Sequence, residues 1–204
     1  IFLAQFMRDE APYDNIDNIG KWVANLGYKG VQIPAWDSRA IDIDQAAESK
    51  TYCDDYKGKL QEMGLEPTEL AAYLAGQVLV MHPAYEVLFE GFHPPGMKGE
   101  ERTRWAAGEV EKTIRASAHM GTHCVPVLSG SFAWHMLYPW PQRPEGIIDE
   151  AFQELAKLWR PLLDLAADKG TVIGFELHPG SDIFDGATFE MFLDYTDGHE
   201  AACL

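Results

Sequence analysis

The stretch Thr171–Pro179 reads TVIGFELHP, and it is the segment that decides the fold class of this chain. An apolar run ends there in Glu176 and His178, with one residue between them. Because side chains alternate between the two faces of a strand, positions two apart can converge on one metal ion or sugar hydroxyl. In an α/β barrel the carboxyl ends of the strands form the catalytic face. The segment therefore predicts a carboxylate and an imidazole at a barrel mouth.

Both side chains also have ordinary structural interpretations. Glu176 can pair with a nearby lysine or arginine, and His178 can cap the strand before the turn at Pro179. Short motif matches of this kind have a substantial false-positive risk. The functional hypothesis therefore rests mainly on Glu176.

Strand-like and helix-like segments alternate along the rest of the chain. The predicted strands are Ile1–Phe6, Gly30–Ile33, Glu69–Leu74, His123–Leu128 and Thr171–Leu177, with a sixth beginning at Ala201–Leu204. The predicted helices are Tyr13–Leu26, Ser49–Met63, Gly99–Met120, Asp149–Lys169 and Ala187–Tyr195. Such alternation is typical of βα units and requires parallel strands.

A closed (β/α)8 barrel and an open doubly wound sheet both have this order. The segment Phe6–Asn15 lacks the glycine fingerprints that bind phosphates in open sheets. Two long loops, Gly76–Pro95 and Ser129–Gly146, follow the third and fourth strands, as in loops that build a barrel's active face. Five complete βα units are too few to close an eight-stranded barrel. We therefore predict an α/β fold, a (β/α)8 TIM barrel truncated after about five βα units, as a single domain over residues 1–204 and as a piece of a longer chain.

The composition narrows the class of protein. With 47% hydrophobic and 24% charged residues the chain is globular, and a net charge of -16 disfavours nucleic acid as a partner. The cysteines Cys53, Cys124 and Cys203 form no CxxC motif and no paired framework, which indicates a reducing, cytoplasmic setting. No apolar run reaches the length of a membrane helix, and the start IFLAQFMRDE lacks a basic signal-peptide region. We expect neither a nucleic-acid nor a membrane partner.

Three segments together resemble a known family. They are GFELHPG at Gly174–Gly180, HMGTHCVPVLSGS at His119–Ser131 and GQVLVMHPAYEVLF at Gly76–Phe89. They resemble the sugar phosphate isomerase and epimerase family, the xylose isomerase-like TIM barrels. The resemblance implies a divalent metal, Mn2+ first and Mg2+, Co2+ or Zn2+ as alternatives. The family holds it with a Glu at the end of the fifth strand, and with an Asp, a His and a second Glu from later strands. Only the first position is matched here, by Glu176.

The resemblance also implies a reaction and a small-molecule sugar substrate. Aldose-ketose isomerisation and epimerisation need a base that removes a proton alpha to a carbonyl, and an electrophile that stabilises the enediolate. Glu176 is the candidate for both catalysis and metal binding. Two alternatives remain open. One is a lyase or dehydratase acting on a keto-sugar or inositol derivative, and the other is a noncatalytic sugar-binding barrel subunit.

Five further side chains near predicted strand ends are candidates for substrate binding. They are His82, Trp36, Trp134, His135 and His178. Flat aromatic faces pack against the apolar C–H faces of sugars, and polar groups on loops bond hydroxyls. The alternative is that the aromatic cluster only fixes its loop to the barrel rim. Exposed strand edges of an open barrel would also favour a homo-oligomer.

Overall fold

The computed structural model describes residues 1–138, 140 and 142–204. Parallel strands in an open arc carry helices on their outer side. The strands are β1 Gly30–Pro34, β2 Glu66–Ala71, β3 Cys124–Val127, β4 Val172–Phe175 and β5 Ala202–Cys203. The helices are α1 Ile16–Asn25, α2 Ile43–Glu48, α3 Lys50–Glu62, α4 Tyr73–Leu79, α5 Gly99–Met120, α6 Ile147–Lys169 and α7 Gly186–Tyr195. Short 3-10 helices cover Pro83–Phe92 and Trp134–Met136.

The strands follow one another around the arc in chain order. β1 pairs in parallel with β2, and β3, β4 and β5 form a second parallel sheet. The Ala72 N–H donates to the Pro126 carbonyl at 2.9 Å and joins the two sheets. Phe2 adds a parallel bridge to Gln32 at the other edge of β1. This sequential parallel order is the one predicted for an α/β fold of the (β/α)8 barrel type.

Side chains on the outer face of the strands pack under the helix layer. Phe175 is 1% exposed, and its ring lies 5.0 Å from Trp159 on α6 and 4.9 Å from Phe192 on α7. Burying a side chain of this kind stabilises the fold by about 1.5–3 kcal/mol. The outer-face contacts fix β4 against its two helices, and the carboxyl end of β4 is fixed with it.

Helix ends lie close to the predicted boundaries because the signals for them are local. α5 and α6 end at Gly121 and Gly170, which adopt left-handed conformations at φ +77° and +71°. Asn15 caps α1 by accepting the Asn18 N–H, so α1 begins three residues after the predicted start. None of the helices within the described residues is both long and apolar enough to span a bilayer.

The first predicted strand is largely wrong. Only Phe2 makes a strand bridge, because the chain turns immediately afterwards. The Phe6 and Met7 N–H groups both donate to the Leu3 carbonyl, at 2.9 and 3.2 Å. The apolar residues of this segment are buried by a turn and not by strand pairing.

The predicted loop over Gly76–Pro95 is also wrong. α4 occupies its first part and a 3-10 helix its second part, while β2 starts at Glu66 and stops at Ala71. All residues from Ala75 to Leu79 are buried, so α4 has no polar face that would reveal a helical period. A short buried helix cannot be distinguished from a buried strand or loop by hydrophobic pattern alone.

Candidate functional site

Glu176 lies immediately after β4, at the mouth formed by the strand ends. Its N–H donates to the Val127 carbonyl at 3.0 Å, so it continues the pairing of β3 with β4 by one residue. Its side chain is exposed. Burial and the nearby Glu176 carboxylate raise the pKa of the Tyr73 hydroxyl, at the first residue of α4. A carboxylate and a phenol are thus neighbours at the mouth.

A row of polar side chains leads from β1 to this pair. The Gln32 amide donates to a carboxylate oxygen of Glu69 at 3.4 Å, and the Thr68 hydroxyl donates to the same oxygen at 2.6 Å. Gln32 also lies near Tyr73 and lowers its pKa, against the effects of burial and Glu176. The sequence reasoning did not identify Gln32, Glu69 or Tyr73. Gln32 could have been found, because it is the one polar residue in the strand GVQIP.

Three of the predicted binding residues meet in one aromatic cluster, which also includes Tyr85. The His135 ring lies 4.2 Å from Tyr85 and 5.3 Å from His82, and Trp134 lies 6.0 Å from Tyr85. Burial and the proximity of His82 lower the pKa of His135. His135 therefore stays neutral at physiological pH and contributes a polar ring without charge. We call His82, Tyr85, Trp134 and His135 the aromatic wall.

Trp36 and His178 lie apart from that wall. The Trp36 ring packs 6.1 Å from Phe2 and 6.2 Å from Tyr73, so Trp36 reaches the Glu176 neighbourhood through Tyr73. His178 is exposed, two residues beyond Glu176. Because β4 ends at Phe175, both Glu176 and His178 follow the strand, and strand alternation does not decide where they point.

A cavity of about 660 Å³ lies elsewhere, between the 3-10 helix Pro83–Phe92 and the start of α5. Its lining includes Glu86, Val87 and His93, and none of the candidate site residues. Parallel barrels place their chemistry at the carboxyl ends of the strands. We therefore place the candidate site at Glu176 and not in this cavity.

The described residues do not form a complete metal site. No three of their His, Cys, Asp or Glu side chains are grouped closely enough to hold a metal ion. Glu176 is one carboxylate of the hard oxygen type that Mg2+ and Mn2+ prefer. The predicted metal site therefore has one candidate ligand, Glu176, within the part of the chain that the structure describes.

Residues 21–203 match the sequence model of the xylose isomerase-like TIM barrel family. The chain belongs to this family. The match confirms the resemblance seen in the sequence, and it covers every strand and helix named above except the start of α1. No curated protein sequence matches this xylose isomerase-like chain.

Solved structures of similar fold support the assignment. A 3-keto-D-glucoside 4-epimerase from E. coli aligns with a TM-score of 0.58 at 18% identity, over 93% of this chain and 62% of its own. A probable 3-DHS dehydratase from Bacillus anthracis aligns with a TM-score of 0.58 at 13% identity, over 92% and 56%. A xylose isomerase-like TIM barrel protein from Mycobacterium smegmatis, in complex with magnesium, gives 0.53 at 15%, over 91% and 54%.

These likenesses establish the fold of this xylose isomerase-like chain. At 13–18% identity they do not transfer an activity, because one barrel fold hosts many reactions. The chain also spans less than two thirds of the length of each of these three structures. Substrate and reaction therefore have to be argued from the residues at the mouth.

Proposed function

We propose that the chain belongs to a divalent-metal-dependent sugar isomerase or epimerase that removes a proton alpha to a carbonyl, with Glu176 carrying the proton. The observation that supports this most is the exposed Glu176 carboxylate directly after β4, beside Tyr73. The family membership and the solved 3-keto-D-glucoside 4-epimerase agree with it. A carboxylate held at a barrel mouth is a suitable general base for such a proton.

We assign proton transfer and sugar binding to the following residues of the chain. A Glu176 oxygen takes the proton from the carbon next to the sugar carbonyl and, in an isomerisation, returns it to the former carbonyl carbon. An epimerisation also requires a second acid that delivers a proton to the opposite face of the first carbon. The Tyr73 hydroxyl lies beside this carboxylate and orients it. The rings of Trp134, His135 and His82 would pack against the apolar faces of the sugar, and Trp36 would add a further aromatic ring beside Tyr73. His178 extends the polar rim beyond Glu176 as a further binding group for hydroxyls.

A bound divalent cation would stabilise the negative charge of the enediolate oxygens. Glu176 would hold it through one carboxylate oxygen, and the described residues supply no group of three ligands. We therefore assign no step to the metal. We propose Mn2+ as the metal, with Mg2+, Co2+ or Zn2+ as alternatives. The similar solved structure from Mycobacterium smegmatis is in complex with magnesium.

The test is hydrogen exchange at the substrate carbon. The full-length protein is incubated in D2O with MnCl2 and either D-fructose or a methyl 3-keto-D-glucoside, and loss of the alpha C–H signal is followed by NMR. Glu176→Gln should lower the exchange rate by at least about 100-fold, since general base catalysis contributes that much or more. Glu66→Gln is the matched control, because Glu66 starts β2 at the opposite end of the barrel. Equal exchange by Glu176→Gln and wild type would contradict the proposal.

A dehydratase on a keto-sugar is the second candidate, favoured by the likeness to the probable 3-DHS dehydratase. It begins with the same proton abstraction but expels water. Mass spectrometry of the products distinguishes the two, because an isomer keeps the mass of the substrate and a dehydrated product loses one water. Sugar binding by calorimetry without exchange or water loss would indicate a noncatalytic binding subunit.

We further propose that residues 1–204 act as one domain in a cytoplasmic homo-oligomer with a small-molecule sugar as its ligand. Tyr138 and Trp140 are each 73% exposed, which suits burial against a second copy. The net charge of -16 supports the exclusion of nucleic acid. Size-exclusion chromatography with light scattering tests the oligomer, and a monomer at micromolar concentration would contradict it.

A further inference from the structure

Asp182 carries a carboxylate deep in the turn that follows β4. It is 1% exposed, and its neighbours Ser181 and Ile183 are fully buried. No ion pair to Asp182 occurs among the described residues, where every salt bridge involves other groups. A buried, unpaired carboxylate is costly, so its hydrogen bonds have to compensate.

Three backbone N–H groups from the loop after β3 supply that compensation. Phe132 donates to one carboxylate oxygen at 2.9 Å, while Ala133 and Trp134 donate to the other at 2.8 and 2.7 Å. These N–H groups lie at the start of the 3-10 helix Trp134–Met136, which no side chain of its own loop caps. Asp182 therefore caps this helix from about 50 residues away.

Further bonds tie the two loops into one unit. The Asp182 N–H donates to the Gly130 carbonyl at 2.8 Å, and the Ile183 N–H donates to the Ser129 hydroxyl at 2.9 Å. Burial raises the pKa of Asp182 to about 6, against the opposing effect of its three N–H donors. At neutral pH the carboxylate is charged and accepts all three bonds.

The loop that Asp182 holds carries two of the four residues of the aromatic wall. Trp134 bears the last of the capped N–H groups and His135 follows it directly, and their rings contact Tyr85 and His82. Asp182 itself follows Glu176 by six residues on the segment that leaves β4. One carboxylate thus sets the position of the wall relative to the strand end that bears Glu176.

We propose that Asp182 is a positioning residue, whose carboxylate latches the Phe132–Trp134 backbone to the end of β4 and holds the aromatic wall in place for sugar binding. Its role in binding rests on the proposed function, while the latch itself does not. Asp182 acts through Trp134 and His135 and does not touch the reacting atoms.

The first test is amide hydrogen exchange of Asp182→Asn against wild type at neutral pH, in the full-length protein. Asparagine has one acceptor oxygen and places N–H donors against the loop's N–H groups, so the amides of residues 132–134 should exchange at least about 10-fold faster. Asp185→Asn is the matched control. The same substitution three residues on, at Asp185, the half-buried N-cap of α7, should leave the amide exchange of residues 132–134 unchanged. Unchanged exchange in Asp182→Asn overturns the proposal.

The second test separates positioning from a purely structural role. With D-fructose or the methyl 3-keto-D-glucoside as the probe, Asp182→Asn should raise KM about 10-fold and change kcat much less, because Glu176 stays intact. A lower Tm with unaltered KM overturns the role in binding. Lack of turnover by wild type contradicts the proposed function alone, since the latch is still decided by amide exchange.

The wild-type protein provides a measurement that does not depend on a folded variant. Its amides at residues 132–134 should exchange as slowly as those of β4, because their acceptor is buried. Exchange as fast as that of the exposed Gly96 amide would show that no latch exists.

Discussion

Gly76 lies in the middle of α4, where its lack of a side chain lets α4 approach β3. A Cβ atom built on Gly76 would lie well under 3.0 Å from the Leu128 carbonyl oxygen and 3.1 Å from the Val127 Cβ. Real Cβ atoms essentially never approach so closely, and the obstacle is backbone that cannot rotate away. Gly76→Ala therefore forces α4 or the end of β3 to shift.

The magnitude follows from two opposing effects on the free energy of unfolding. Alanine in place of glycine stabilises a helix interior by about 1 kcal/mol. Overpacking costs about 1–3 kcal/mol, and a clash with rigid backbone belongs at the upper end of that range. The net expectation is a destabilisation of about 2 kcal/mol, because the steric cost exceeds the gain in helix propensity.

Gly108 on α5 is the matched control. A Cβ on Gly108 would meet nothing within 4 Å, so Gly108→Ala has the gain in helix propensity without the clash. We expect it to stabilise the protein by about 0.5–1 kcal/mol. The two identical substitutions should thus change stability in opposite directions.

Thermal unfolding followed by circular dichroism measures both variants. In a chain of this size about 1 kcal/mol corresponds to roughly 2–4 °C, so Gly76→Ala should lower Tm by about 4–8 °C and Gly108→Ala should raise it by about 2 °C. A Gly76→Ala protein as stable as Gly108→Ala would refute the packing of α4 on β3.

Two further predictions concern charged groups. The Arg102 side chain is 4% exposed and donates to Glu86 at 2.5 Å and to the Val78 carbonyl at 3.1 Å. Arg102→Met should therefore lower the free energy of unfolding by about 2 kcal/mol, a value reduced because Glu86 is partly exposed. Arg115→Met, whose pair with Glu111 is exposed, should cost under about 0.5 kcal/mol in the same urea titration, and equal effects would contradict the difference in burial. Asp182 has a pKa of about 6 in the folded protein, against an ordinary value of 3.8 for an aspartate in water. Between these two pH values the folded state binds more protons than the unfolded state. The contribution of Asp182 to stability therefore falls as the pH rises through that range. The difference in unfolding free energy between wild type and Asp182→Asn should therefore fall by roughly 2 kcal/mol from pH 4 to pH 6, and a flat difference would show that Asp182 is not buried as a titrating acid.

The site was predictable only in part. Glu176 could be placed from its segment, because an apolar run with a carboxylate at its end is a local pattern. His82, Trp134 and His135 were identified one by one as loop residues, and the structure brings their rings together. Tyr73 was missed because α4 was not predicted, and its relation to Glu176 spans about 100 residues.

The sequence by itself determined the βα order, the parallel strands, the ends of α5 and α6 and the place of Glu176 along the chain. These depend on periodicity, glycine caps and strand ends, which involve neighbours in sequence. Only the tertiary structure decided that α4 replaces a loop and that Asp182 caps a helix about 50 residues away. Contacts of that range form when whole elements pack, and no local pattern of side chains records which backbone groups will meet.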